Sequence, residues 1–232
     1  MKEKIILVLD VSSRAEAMKL VRPLCQQVGM FKVGMQLFTA EGPSIVREIV
    51  DLGGKVFLDL KFHDIPNTVS HGVLEAARLG VSMLTIHASG GRAMMEMVSK
   101  DLKNAFGVKA PWVVAVTVLT SFNESGLREV GVSRSLEDQV IDMAKLAEAC
   151  GIDGVVCSPQ EIRPVRHAAG PQFKIVTPGI RMPGQSANDQ QRLATPQDAL
   201  NAGADYIVVG RAITAAPDPL SALDNVVQSV KA

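Results

Sequence analysis

Short apolar runs alternate with longer segments of helical period along the whole chain. Eight of these runs predict β-strands, at residues 5–9, 31–34, 56–60, 83–87, 112–118, 154–157, 174–177 and 206–209. The segments between them space their apolar residues three and four apart, which predicts helices at 15–28, 43–52, 68–79, 93–106, 136–150, 159–168, 196–202 and 219–230. Proline begins several of these segments and glycine follows several of them, as is typical of helix boundaries.

Eight strand–helix units in a chain of 232 residues predict an α/β protein, a (β/α)8 TIM barrel. The alternative is a doubly wound open sheet, which usually carries a G-x-G-x-x-G fingerprint after its first strand. Here the first strand is followed by Asp10-Val11-Ser12-Ser13, without that fingerprint. No change in composition marks a linker, so we expect a single domain over residues 1–232.

Composition agrees with this fold and narrows the range of partners. Hydrophobic residues make up 47% of the chain and aromatic residues only 4%, so aliphatic side chains and Met must build the core, as in buried parallel strands. Lys plus Arg and Asp plus Glu are equal at 24 each. Binding of nucleic acid requires a clustered basic excess, so we expect no nucleic-acid partner.

Cysteine and histidine positions do not indicate a metal site. The cysteines are three in number and lack CxxC spacing, which argues against a disulfide framework and a zinc site. His63, His71 and His167 lack ligand spacing, and we expect His87 to be a hydrogen-bonded structural residue. The apolar run at residues 5–9 is too short for a signal peptide or a membrane span, so we expect a cytoplasmic protein without membrane contact.

The third predicted strand ends in charged residues. Asp59 and Lys61 are two positions apart, so on a strand their side chains share one face. Removing two such charges from water costs several kcal/mol per ion unless they are well paired. An ion pair that closes the strand is one interpretation, and a catalytic pair is the other.

The context favours the catalytic interpretation, because active sites of this barrel lie at the carboxyl ends of its strands. The first three strands bring Asp10, Lys32, Asp59 and Lys61 to that end, with Asp64 just beyond. Two unit charges about 4 Å apart interact by about 4 kcal/mol at an effective dielectric constant near 20. An alternating order of signs would therefore keep every member ionised and hold Lys61 in a fixed orientation.

The ends of the seventh and eighth strands predict an anion site. Gly179 and Gly210 allow close approach of the backbone, and Arg181 and Arg211 supply fork-shaped donors suited to phosphate. Either arginine alone could equally form a surface salt bridge. The two arginines together with both glycines favour phosphate binding, which is common at the loops after the seventh and eighth strands. The polar segment 182–190 has no periodicity and predicts a mobile lid over the bound phosphate.

At these positions the chain resembles the orotidine 5'-phosphate decarboxylase family. The residues that carry the resemblance are Asp59-Leu60-Lys61-Phe62-His63-Asp64-Ile65-Pro66-Asn67-Thr68, with Lys32-Val33-Gly34, His87-Ala88-Ser89-Gly90-Gly91, Thr177-Pro178-Gly179-Ile180-Arg181 and Val209-Gly210-Arg211. The D-x-K-x-x-D element alone is shared with sugar-phosphate decarboxylases and synthases of the same superfamily. Its extension through Ile-Pro-Asn-Thr, together with Lys32, is more specific.

The resemblance implies decarboxylation of orotidine 5'-phosphate to UMP and CO2, the last step of de novo pyrimidine biosynthesis, without a cofactor or metal. Lys61 would protonate C6 of the pyrimidine, and Asp59 would lie beside the departing carboxylate. Asp10 and Lys32 would hold the ribose hydroxyls, with Lys32 also supporting Asp59.

The resemblance also implies the remaining contacts and a partner. Phosphate would be held by Gly210, Arg211, Gln190 and Arg181, with Gln185 and Gln191 as rivals of Gln190. Thr120 would contact the pyrimidine or the lid, with Ser121 as its rival. The segment 64–68 would reach into the site of a second subunit, so that Asp64, Ile65 and Thr68 serve a homodimer with shared active sites.

Three other functions remain open from the sequence. One is a metal-dependent 3-keto-gulonate-phosphate decarboxylase or hexulose-phosphate synthase, which carries an acidic metal ligand near the second strand, where this chain has Lys32. Another is an aldolase that forms a Schiff base at Lys61. The third is a catalytically silent phosphate-binding barrel.

Overall fold

Eight parallel strands close into a barrel in their order along the chain. The structure is a computed structural model and describes residues 1–182 and 192–230. The strands are β1 (Ile5–Val8), β2 (Met30–Gly34), β3 (Val56–Phe62), β4 (Met83–His87), β5 (Trp112–Val116), β6 (Gly154–Val156), β7 (Lys174–Thr177) and β8 (Tyr206–Val209). Pairing of β1 with β8 closes the ring, so the predicted (β/α)8 fold is confirmed.

Helices connect the strands and cover the outside of the barrel. In the described part of the chain they are α1 (Arg14–Leu24), α2 (Met35–Glu41), α3 (Pro43–Asp51), α4 (Pro66–Arg78), α5 (Gly91–Phe106), α6 (Glu124–Glu129), α7 (Leu136–Ala149), α8 (Ile162–Ala168), α9 (Pro196–Ala202), α10 (Arg211–Thr214) and α11 (Pro219–Gln228). The predicted helix 159–168 is divided, because Pro159–Glu161 forms a 3-10 turn before α8. None of these described helices is long and apolar enough to cross a membrane.

Three of these helices were not predicted, and each is short. Helix α10 has four residues and α6 has six, too few for an apolar period to be visible. Helix α2 begins at Met35, directly after the last residue of β2, so no polar loop separates the two elements. A helix that is short, or that follows a strand without a loop between them, is hard to detect from the sequence pattern.

The core has two layers, and the inner one determines where the site lies. Most buried apolar residues pack between the barrel and the helices. A smaller cluster fills the barrel interior, with Ile6, Val8, Met30, Phe57, Met83, Val114, Val176 and Val208. Because strand side chains alternate, the next inward positions after Val8, Met30 and Phe57 are occupied by Asp10, Lys32 and Asp59. The charged residues therefore lie at the carboxyl end of the barrel, above an apolar interior.

Strand β3 departs from regular geometry at its end. It continues to Phe62, beyond the predicted end at residue 60, and its register with β4 shifts between Leu58 and Phe62. Within this stretch Lys61 has a φ angle of 54°, the one positive φ among the described non-glycine residues. The residue with the left-handed backbone is thus Lys61, one of the two charged residues predicted to be catalytic.

Candidate active site

A cavity of about 780 Å³ opens at the carboxyl end of the barrel. Its floor is apolar and includes Val8, Phe57, Val176 and Val208, which also belong to the inner core. Most polar residues that line it come from the ends of several strands or the residues just after them: Asp10, Lys32, Asp59, Lys61, Thr120, Arg181 and Arg211, with the backbone of Gly179 and Gly210. Thr214 of α10 also lines it. These strand ends were predicted to form the site, and the structure brings them into one cavity.

Four charged side chains form a continuous chain of alternating sign. Lys61 Nζ donates to Asp59 Oδ1 at 2.8 Å. Lys32 Nζ lies 3.5 Å from Asp59 Oδ2 and 3.4 Å from Asp10 Oδ1, so it bridges the two carboxylates. The order is therefore Asp10–Lys32–Asp59–Lys61, and each charge has an opposite charge beside it. The ammonium of Lys61 ends the chain inside the cavity.

Asp59 is the most buried member of this chain, with 9% of its surface exposed. Burial by itself raises the pKa of Asp59, but the ammonium groups of Lys32 and Lys61 and hydrogen bonds from Lys61 and Thr85 outweigh it, so that the pKa lies below its usual value. The carboxylate is therefore ionised at neutral pH and attracts both cations. The Asp59 carboxylate is thus held in place between the ammonium groups of Lys32 and Lys61.

Sequence reasoning missed Thr85, a fully buried residue on the inner face of β4. Its hydroxyl donates to Asp59 Oδ1 at 3.0 Å and accepts the backbone N–H of Lys61 at 2.8 Å. One side chain thus positions both the carboxylate and the peptide group of its cationic partner. The available signal was a hydroxyl two positions after the inward-facing Met83, since alternation turns that hydroxyl inward as well.

The backbone of Lys61 is strained. A left-handed conformation costs roughly 1–2 kcal/mol in a residue with a Cβ atom, and the φ of Lys61 is 54°. A regular strand, which the sequence predicted, would also place Asp59 and Lys61 on one face, but the observed pairing is reached through this irregular turn. Strain of this kind is concentrated at functional sites.

Two histidine rings pack beside this network. The ring centroids of His63 and His87 are 5.1 Å apart, with an angle of 31° between the planes. Burial lowers the pKa of His87, and the nearby His63 and Lys61 lower it further. His87 is therefore neutral at neutral pH, and it adds no positive charge next to Lys61.

The predicted anion-binding residues also line the cavity. Gly179 follows β7 with a φ of 79°, a conformation that favours glycine. Arg181 is held by donation from its guanidinium to the carbonyl of Ile180 at 3.0 Å. Arg211 is the first residue of α10, directly after Gly210. Two guanidinium groups therefore face the same cavity as the ammonium of Lys61.

Other predicted site residues lie away from this cavity. Asp64 and Ile65, between β3 and α4, and Thr68, in the first turn of α4, are exposed and do not line the cavity of their own chain. Asp64 Oδ1 accepts the backbone N–H of Ile65 at 2.6 Å, and Ile65 is 67% exposed. The predicted lid, apart from Met182, and with it Gln185, Gln190 and Gln191, lies outside the described residues.

No group of three or more His, Cys, Asp or Glu side chains in residues 1–182 and 192–230 is arranged to hold a metal ion. Each cysteine in this part of the chain is a free thiol. Burial raises the pKa of Cys157 far above its usual value, so this thiol stays protonated. The charges of the cavity are thus those of lysine, arginine and aspartate.

The fold and the site together define an α/β-barrel protein with a pocket lined by four cationic and two anionic side chains. Comparison with known families agrees with this class and identifies the family. The chain belongs to the family described as "Orotidine 5'-phosphate decarboxylase / HUMPS family", whose model matches residues 3–226.

Individual relatives are similar over nearly their whole length. A protein of Moorella thermoacetica named orotidine 5'-phosphate decarboxylase is 52% identical over 225 residues, which cover 95% of this chain and 89% of the relative. One of the same name from Syntrophomonas wolfei is 54% identical over 226 residues, 95% of either chain. The crystal structure of orotidine 5'-phosphate decarboxylase from Lactobacillus acidophilus superposes with a TM-score of 0.86 at 36% identity, covering 98% of this chain and 99% of the other.

Proposed function

We propose that this chain is a single-domain enzyme that decarboxylates orotidine 5'-phosphate to UMP and CO2, the last step of de novo pyrimidine biosynthesis, without a cofactor. The names of its close relatives support the reaction. The observation that carries the proposal is the charge chain Asp10–Lys32–Asp59–Lys61, which ends in the cavity that Arg181 and Arg211 also line. A cation for the reacting carbon and cations for a phosphate are thus available in one pocket.

Lys61 is the proposed proton donor. Loss of CO2 from C6 leaves a carbanion without an adjacent carbonyl group to delocalise it, so a fixed positive charge is the available stabiliser. The C6–carboxylate bond breaks, its electron pair stays on C6, and the ammonium of Lys61 transfers a proton to that carbon. Neutral Lys61 then regains a proton from water. Asp59 holds the ammonium in place at 2.8 Å and lies beside the departing carboxylate.

The other polar residues bind the parts of the substrate that do not react. Asp10 and Lys32 hold the ribose hydroxyls in this proposal, and Thr120 contacts the pyrimidine. Arg181, Arg211, Gln190 and the backbone of Gly210 hold the phosphate. Binding energy from these remote groups offsets the cost of orienting and desolvating the reacting carboxylate.

The proposed enzyme is a cytoplasmic homodimer with shared active sites. The segment that contains Asp64, Ile65 and Thr68 is exposed beside the end of β3 and presents an apolar side chain, Ile65, to solvent. In this proposal, the exposed segment contacts a second copy of the chain. In the dimer, this segment would complete the cavity of the partner subunit.

The absorbance of orotidine 5'-phosphate, followed with purified protein with and without EDTA, tests the reaction and its independence of metal. We expect the same turnover in both samples and none with Lys61→Ala. Absence of turnover by the wild-type protein would refute the proposal, whereas turnover lost on EDTA treatment would refute only metal independence.

The family description leaves a sugar-phosphate reaction as the second candidate, because it covers the HUMPS proteins as well. The position of Lys32 favours the first candidate, since this cation bridges Asp10 and Asp59 where the alternative requires an acidic metal ligand. Assays with a hexulose phosphate and a keto-gulonate phosphate in the presence of Mg²⁺ discriminate the two. Borohydride trapping of a sugar phosphate on Lys61 would instead support the aldolase.

A further inference from the structure

A buried ion pair lies behind the cavity. Arg192 and Glu161 pair through the guanidinium and carboxylate, and their side chains are only 8% and 4% exposed. Neither residue lines the cavity. A buried ion pair often contributes no more stability than apolar residues of the same volume, so its presence calls for another reason.

The guanidinium of Arg192 also contacts the loop after β5. It donates a hydrogen bond to the carbonyl of Leu119 at 3.1 Å. Leu119 and its neighbour Thr120 both line the cavity. The position of this carbonyl therefore determines how the loop after β5 is presented to a bound molecule.

Glu161 anchors the pair to the end of β6. One of its carboxylate oxygens, Oε2, accepts the backbone N–H and the hydroxyl of Ser158, whereas Oε1 accepts from Arg192. Ser158 is fully buried two residues after the end of β6. The anchor for Arg192 is thus the capped 3-10 turn Pro159–Glu161, which follows β6.

The chain next to Arg192 is paired with the segment that carries the anion-binding arginine. Ala194 donates its N–H to the carbonyl of Gly179 at 3.3 Å, and its own carbonyl accepts the N–H of Arg181 at 3.0 Å. Arg192 is two residues before this bridge. A shift of Arg192 is therefore transmitted to Gly179 and Arg181 as well as to Leu119.

We propose that Arg192 is a positioning residue that fixes the loop after β5 relative to the anion-binding segment after β7. It does so by bonding Leu119 and Glu161 at once, which requires the fork of a guanidinium group. The role rests on the proposed function, because these two segments are the ones that contact the pyrimidine and the phosphate. The pair would thereby set the spacing between base and phosphate contacts.

The test compares Arg192→Lys with Arg166→Lys. Lysine keeps a charge beside Glu161 but its single ammonium cannot occupy both positions of the fork. Arg166 is a matched control: it pairs with Asp205 at 2.6 Å and donates to the carbonyls of Gly203 and Phe173, and it does not line the cavity. Steady-state kinetics with orotidine 5'-phosphate and the affinity for UMP are measured below the melting temperature of each variant.

We expect KM for orotidine 5'-phosphate and Kd for UMP to rise about 10-fold to 100-fold in Arg192→Lys, with a smaller loss of kcat, because misplaced binding groups act on remote parts of the substrate. In Arg166→Lys both constants should stay within about twofold of wild type, whatever its loss of stability. In an Arg181→Ala background the effect of Arg192→Lys should be smaller, because Arg192 is proposed to act partly by positioning Arg181.

Wild-type constants in Arg192→Lys, with only a lower melting temperature, would overturn the positioning role and leave the proposed function intact. If this variant does not fold, Glu161→Gln replaces it, with the same expected rise and the same overturning result. A wild-type protein that neither turns over orotidine 5'-phosphate nor binds UMP would refute the proposed function and the positioning role together.

Discussion

The hydroxyl of Thr85 donates a hydrogen bond to Asp59 Oδ1 at 3.0 Å, and both groups are buried in the wall of the barrel. The same hydroxyl accepts the N–H of Lys61. A neutral side chain on a neighbouring strand thus fixes the carboxylate of Asp59 relative to the backbone of Lys61 on β3. Electrostatic catalysis depends on such fixed geometry, since groups that are already oriented need not reorganise during the reaction.

Replacing Thr85 by Val should remove this support with little change in volume. We expect a loss of about 1–3 kcal/mol in the free energy of unfolding, because the N–H of Lys61 loses its acceptor and Asp59 Oδ1 loses one of its two donors. The value of kcat should fall by about 10-fold or more, which corresponds to about 1.4 kcal/mol. Urea denaturation and the absorbance assay measure the two effects. Thr85→Ser, which restores the hydroxyl, is the control and should recover most of both.

The strained backbone of Lys61 predicts an unusual order of stability between two inactive variants. Lys61→Gly and Lys61→Ala both remove the ammonium, but only glycine adopts a φ of 54° without steric cost. The glycine variant should therefore be more stable than the alanine variant by about 1 kcal/mol. Urea denaturation of the pair checks this difference. Equal stabilities, or a more stable alanine variant, would contradict the strain.

His87 predicts a pH dependence of stability. Its pKa is lowered in the folded protein, chiefly by burial, so the unfolded chain binds more protons than the folded one as the pH falls through the ordinary histidine pKa of about 6.5. The free energy of unfolding should decrease between pH 7 and pH 5, and the decrease should be smaller in His87→Gln. His167→Gln, at the exposed end of α8, controls for loss of a surface imidazole. Identical pH profiles for wild type and His87→Gln would exclude the effect.

The two cavity arginines predict a specific loss of phosphate binding. Arg211→Ala and Arg181→Ala should each weaken UMP binding by about 10-fold to 100-fold, as expected for a charge-assisted hydrogen bond of about 1.5–3 kcal/mol. Their affinity for uridine, which lacks the phosphate, should change much less. Isothermal titration calorimetry with both ligands gives the ratio. Parallel losses for UMP and uridine would mean that the arginines do not contact phosphate.

The proposed sharing of active sites between two subunits predicts recovery of activity from two inactive proteins. Lys61→Ala and Asp64→Ala should each be inactive, because one lacks the proposed proton donor and the other lacks the residue that the proposal assigns to the partner's site. After unfolding and joint refolding, hybrids should carry one intact site each, giving about a quarter of wild-type activity for random pairing of a two-fold symmetric dimer. A mixture that stays inactive although hybrids demonstrably form would remove Asp64 from the intersubunit role.

Much of the fold could be predicted because the strands of a closed parallel barrel are buried on both faces. All eight strands gave apolar runs, and the predicted ends of six agree with the structure to within one residue, with both ends matched at β4, β7 and β8. Short helices such as α6 and α10 escaped, since six or four residues hold no apolar period. Elements were therefore predicted where an apolar pattern was present and the element was long enough to show it.

The site was only partly predictable for a different reason. Charged residues at strand ends stand out against apolar neighbours, so Asp59, Lys61 and Lys32 were found from the sequence. Thr85 does not stand out, because a hydroxyl in a strand is common and its partners are distant in the chain. The Arg192–Glu161 pair joins residues 31 positions apart, and only the folded chain brings them together.

The apolar floor of the cavity has a consequence for any attempt to alter what the pocket accepts. Val8, Phe57, Val176 and Val208 are at once the surface beneath a ligand and the upper layer of packing inside the barrel. Trimming one of them to admit a bulkier molecule also removes contacts that hold the strands together. Ligand size and barrel integrity are therefore coupled in this protein, and redesign of its selectivity has more freedom at the rim than at the base.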